Sequence, residues 1–179
     1  MRSNEAKTKI LHYFRFRRRF KFIATEVGPF NSDVLVSNSR EILEVEIKVA
    51  LSDLRAEFKK RKHYHYSNGD RYIPNKFYMA VPEYLIEPCK ELIGTGPYGI
   101  IGIDNRVLNN RRREVFCKID KQARPLSLNF SKPLHEAIVL RMGSELIQNR
   151  IKGDGRSIQE MLLSIRDKVV KLKKIRNKT

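Results

Sequence analysis

Between residues 33 and 50 the chain reads DVLVS, then the polar turn Asn38-Ser39-Arg40, then EILEVEIKVA. In the second run Leu43, Val45, Ile47 and Val49 alternate with Glu44, Glu46 and Lys48. A two-residue period puts the apolar set on one face only in a strand, so this stretch admits two antiparallel strands and little else. FKFIATEV (Phe20–Val27) is also strand-like and is ended by Gly28-Pro29. Three strands with short connections predict an antiparallel meander.

Helices and strands then alternate. Ser52 reads as the N-cap of one continuous helix, SDLRAEFKKRKHYHY, with Asp53 in its first turn. KFYMAVP (Lys76–Pro82) and IIGID (Ile100–Asp104) read as strands joined through the helix EYLIEPCKELI, which Pro88 limits. Such a βαβ unit makes the two strands parallel. EVFCKID (Glu114–Asp120) pairs next, across a basic turn. Before the meander, a basic helix follows Ser3, carrying Ile10, Leu11, Phe14 and Phe16. After residue 130 the pattern is helical: Leu134, Ile138, Met142 and Leu146 form one row, ended by Gly153-Asp154-Gly155. A capping box at Ser157–Glu160 opens an amphipathic helix from Ile158 to Leu172. The expected architecture is α/β: a mixed sheet, meander then βαβ, flanked by helices. Residues 1–125 form the core, and 126–179 a helical extension with a basic tail.

The 179 residues carry a net charge of +17. Such an excess repels itself unless a polyanion is a partner. It is concentrated around Arg17, Arg18 and Arg19, around Lys59, Lys60, Arg61, Lys62 and His63, around Arg111 and Arg112, and in the tail from Lys171. Clusters of this kind suit phosphate contacts. No run approaches the roughly 20 apolar residues of a membrane span, and the charged N-terminus is no secretory signal. Cys89 and Cys117 stand far apart, which speaks for a reducing compartment rather than a disulfide framework. The expectation is a cytoplasmic nucleic-acid-binding protein with no membrane association.

Chemistry concentrates at one place. Asp33 lies on the strand before Glu46 and can reach the same face, and Lys48 follows Glu46 at the strand end. Two converging carboxylates form an oxygen-rich site for Mg²⁺. A nearby ammonium orients or activates water and offsets charge on a phosphorane. The plain alternative is a wet strand face with charges paired across strands. Glu44, further from the strand end, reads as a salt-bridge partner, and Tyr64 and Tyr66 as packing or rim residues.

SDVLV…EVEIKVALSDL, in an order of helix, three strands, helix, strand, helix, strand, resembles the active-site meander of the PD-(D/E)xK nuclease superfamily, with its restriction-endonuclease-like fold. TEVGPFNSDVLV, VEIKVALSDLRAEFKKRKH, NKFYMAVPEYL and YGIIGID are similar to compact bacterial and phage DNA-repair-type domains within it. The resemblance covers residues 5 to 120, and Ser32 stands in place of the motif's proline, which many members also lack. It implies Asp33 and Glu46 as ligands to Mg²⁺ or Mn²⁺, completed by the carbonyl of Ile47, with Lys48 as catalytic lysine. Glu5 or Glu26 would be an added acid. It further implies a metal-dependent deoxyribonuclease of a bacterial or phage-infected cell, in repair, recombination or phage genome processing. Two alternatives stand beside it: a non-catalytic nucleic-acid-binding protein on the same scaffold, and a subunit active only in a larger assembly. Dimerisation or partner binding through the C-terminal helices belongs with the last.

Overall fold

Six strands form one sheet in simple chain order, β1-β2-β3-β4-β5-β6. They are β1 (Phe22–Val27), β2 (Ser32–Ser37), β3 (Ile42–Ile47), β4 (Lys76–Pro82), β5 (Gly99–Ile103) and β6 (Cys117–Lys121). The computed structural model describes residues 1–38, 40–69, 71–106 and 116–154, the last five as helix backbone. Arg111, Arg112, the capping box, the helix from Ile158 and the basic tail lie outside the described residues. The meander is antiparallel. β3–β4 and β4–β5 are parallel, and β6 returns antiparallel. The anticipated mixed sheet is present.

Alternation sorts the apolar side chains into two layers. Val34, Val36, Leu43, Val45, Ile47, Tyr78 and Ala80 pack beneath α1 (Ser3–His12) with Ala6, Ile10 and Phe14. On the other face Phe77, Met79, Val81 and Ile100 meet the crossover helices α2 (Leu51–Glu57), α3 (Arg61–Ser67) and α4 (Ile86–Ile93). Ala24, Leu35 and Ile42 are covered by Leu134 and Ile138 of α5 (Lys132–Asp154). All six residues of β3 are buried, because both faces are roofed. The compact unit runs from Met1 to Met142, and the rest of α5 belongs to a second unit. No helix among the described residues is long and apolar enough to cross a membrane.

Three elements depart from the sequence reading. The first helix ends at His12 and continues as a π-turn (Tyr13–Arg17), closed by Arg18 N–H to the Tyr13 carbonyl at 3.0 Å. The extra residue lets the neighbours Tyr13 and Phe14 both enter the core. The helix expected without a break from Ser52 to Tyr66 is two helices, and the cap of the first is Ala50. Lys60 is extended between them (φ −71°, ψ 139°). The last helix runs on through Asp154, past its expected stop at Gly153. Pro88 sits in the first turn of α4, where an amide hydrogen has no helical partner to lose.

Candidate active site

Asp33 begins β2 and Glu46 ends β3. Val34 pairs with Val45 across the ladder, so the next residues outward, Asp33 and Glu46, share the face opposite α1. The join is tight. The Asp33 amide lies 3.4 Å from Glu46 Oε1, and the Ile47 amide donates to Asp33 Oδ2 at 2.9 Å. Lys48 Nζ stands 2.8 Å from Glu46 Oε2 and 3.7 Å from Asp33 Oδ2. The three residues singled out in the sequence therefore meet at the end of β3.

The structure adds a fourth residue, another acid. Glu57, the last residue of α2, is fully buried. Its carboxylate lies within 2.7 Å of Lys60 Nζ, 2.8 Å of Lys62 Nζ and 2.9 Å of Lys48 Nζ. Lys62 also reaches Glu46 Oε1 at 2.7 Å and Glu44 Oε1 at 3.0 Å. Four carboxylates and three ammonium groups thus share one site. The break between α2 and α3 makes this possible. In an unbroken helix, residues 57 and 62 would point about 140° apart. The sequence signal for Glu57 was an acid standing alone before FKKRK.

The lysines dominate the titration. Burial works to raise Glu57 and Glu46, but the ammonium groups, with His63 beside Glu57, hold both carboxyls below the ordinary range. Burial works to lower Lys48 and Lys62, and the surrounding carboxylates keep both above the ordinary lysine value. Asp33 differs: burial and the nearby Glu46 charge push it up, against only a backbone hydrogen bond and more distant lysines. It is the one corner of the site short of positive charge.

Two residues assigned from sequence to phosphate contact do other work. Lys62 is buried, paired with three carboxylates, and its ammonium stands 5.0 Å from the Phe77 ring; it cannot meet a phosphate in solvent. His63 faces inward. Its Nδ1 shares a hydrogen bond with the Tyr98 hydroxyl at 2.8 Å, its Nε2 is 3.4 Å from Glu57, and its ring stacks on Phe58. Lys59, Lys60 and Arg61 are exposed at the rim. Glu44 is a salt-bridge partner as read, and accepts a hydrogen bond from the buried Tyr66 hydroxyl. The additional acids do not join the pair: Glu5 is taken by Lys9 at 2.7 Å, and Glu26 by Lys7 at 2.9 Å. Glu26 has a left-handed φ of 51°. Arg17, Arg18 and Arg19 are exposed, but they precede β1, at the opposite end of the strands.

No family model matches this sequence, and no curated protein matches it. Among solved structures the chain is similar to SPO1766, a protein of unknown function from Silicibacter pomeroyi. The two are 14% identical; the match covers 88% of this chain and 97% of that one, with a TM-score of 0.58. A likeness at that identity shows a shared mixed α/β fold and nothing of activity.

Proposed function

We propose that this protein is a metal-dependent nuclease with the restriction-endonuclease-like fold of the PD-(D/E)xK superfamily, hydrolysing phosphodiester bonds in DNA. The observation that carries the reading is the placement of Asp33 and Glu46 on one face of neighbouring strands, with Lys48 2.8 Å from Glu46. The donor chemistry fits Mg²⁺ or Mn²⁺. Among the described residues no three of His, Cys, Asp and Glu form a ready metal cage. Mg²⁺, however, needs only one or two carboxylates when water and substrate phosphate complete its shell. The charge deficit at Asp33 is where a cation would be welcome. Asp33 and Glu46 would hold the ion, with the Ile47 carbonyl as the third protein oxygen. A bound ion would polarise the phosphate and lower the pKa of water.

The chain's own groups do the rest. Lys48 stays protonated, because Glu46 and Glu57 hold its pKa up. It would place a positive charge facing the negative charge that builds on phosphorus and would help to position the attacking water. Glu57 positions Lys48, Lys60 and Lys62 together. Lys60, half exposed, stands at the mouth where a substrate phosphate could draw it.

A second reading has its own observation. Glu46 is already met by three ammonium groups, which suits a closed structural cluster in a non-catalytic binding protein. Cleavage of labelled linear, flapped, four-way and single-stranded DNA separates the two. It should need Mg²⁺ or Mn²⁺, stop in EDTA, and disappear in Asp33→Ala and Lys48→Ala while binding persists. Tight, salt-sensitive binding without any cleavage would replace the nuclease by the binding protein.

A further inference from the structure

We propose that the end of the sheet opposite Asp33 and Glu46 is a second nucleic-acid contact, an anchor for the phosphate backbone distinct from the acidic site. The acidic site cannot supply the affinity itself. Its four carboxylates outnumber its three ammonium groups, and those ammoniums are already paired. A polyanion must gain most of its counterion release from exposed cations outside that cluster, at the rim (Lys59, Arg61) and at the far end of the sheet.

Topology fixes where the anchor stands. β1 opens at Phe22, which faces Ser37, the last residue of β2. Arg17, Arg18, Arg19 and Lys21 lead into that opening, and Arg40 lies in the adjacent β2–β3 turn. All five are exposed. The acid of this corner, Glu41, is neutralised by Lys76 at 2.8 Å. Asp33 lies four residues back along β2, about 13 Å away. A duplex carries about eight phosphate charges over that length, so one DNA molecule can touch both ends.

The arginines are presented rather than loose. Phe20 is buried, stands edge-on to Phe14, and donates its amide to the Phe14 carbonyl at 3.0 Å. Arg15 donates to the carbonyls of Phe20 and Lys21. Arg19 is held at a φ of 58°, a conformation rare for a long side chain and kept only where packing on both sides demands it. The outcome is a run of exposed arginines on an anchored stretch of backbone, and their planar forks match phosphate oxygens.

The inference does not depend on cleavage, because binding can be read in EDTA. The test is fluorescence anisotropy of a labelled duplex long enough to reach both ends, over a salt series. Wild type runs beside Arg17→Ala/Arg18→Ala/Arg19→Ala and the matching triple lysine variant. The alanine triple should lower the slope of log affinity against log salt by about 3, one phosphate contact per arginine, and weaken binding roughly tenfold or more. The lysine triple should keep most of the slope. If the alanine triple fails to fold, Arg17→Glu with Arg19→Glu leaves Arg18 in place and should lower the slope by about 2 or more. An unchanged slope and affinity would overturn the proposal. So would loss of turnover at saturating DNA with affinity intact, which would put the arginines in the cleavage site. Arginine-dependent binding to phosphatidylserine vesicles, with duplex binding untouched, would assign the corner to a membrane surface instead.

Discussion

Asp33 carries the least supported charge in the cluster. Its carboxyl is raised by burial and by Glu46, and the closest ammonium is 3.7 Å away. An amide keeps an oxygen for the Ile47 amide while removing the repulsion. Asp33→Asn should therefore leave stability unchanged or raise it, by about 1 kcal/mol or less, or a few degrees in Tm. Cleavage should be lost in the same variant. A Tm clearly below wild type would show that Asp33 is there to hold the fold. The positions of Asp33, Glu46 and Lys48 were legible because strand alternation fixes which side chains share a face. Glu57 was not legible as a member of the site. Its place depends on where a helix stops, and no residue at Phe58–Lys60 marks that stop as glycine or proline would. Lys62 and His63 were misread as phosphate contacts because they belong to a basic run, and the charge of a run does not show which of its members the fold turns inward.

Among elements, β3 is the hinge of the design. It takes antiparallel pairing from β2 and parallel pairing from β4, and its end is where helix α2 leaves the sheet. The crossover helices then roof the charged face, so the carboxylates are buried instead of lining a wet surface. Packing on the α1 face of the sheet can be tested at Gly99, the first residue of β5. A Cβ there would lie 2.4 Å from Tyr78 Cε1 and 2.7 Å from the Ala123 amide nitrogen. The second of these is backbone and cannot step aside. Gly99→Ala should cost about 1–3 kcal/mol, measured by urea unfolding. At Gly102 the nearest obstacle is the flexible tip of Ile86, at 2.9 Å, and the same change should cost clearly less. Equal costs at the two glycines would show that the ring of Tyr78 and the strand it covers yield more easily than this geometry implies.

At the scale of the molecule, the charge cluster ties stability to pH. Glu46 and Glu57 are lowered on folding, so their contribution is complete above the ordinary carboxylate value of 4.5 and is lost as pH falls toward their folded values. Lys48 and Lys62 are raised, so theirs is complete below the ordinary 10.5 and is lost as pH rises through their folded values. Asp33 runs the other way and softens the acid limb, since protonating it in the folded state relieves a cost. Thermal melts across pH should show a plateau from about 5 to about 10, falling on both sides. A maximum displaced into the acid range would mean that the lysines do not hold the carboxylates ionised. The net charge of +17 acts on the same scale. Among the described residues, part of it stands at a rim near the site and part at a corner at the far end of the strands, a division that composition cannot express.

The sequence by itself determined the order of the elements, the meander, the parallel βαβ step and the three residues that meet at the end of β3. These follow from period, turns and connection length, which are local. Only the tertiary structure decided that Glu57 joins them, that Lys62 and His63 face inward, and that the arginines before β1 stand at the other end of the sheet. Each depends on a break or a return of the chain through space. Charge and hydropathy along a sequence record what a residue is, and burial and distance record what surrounds it.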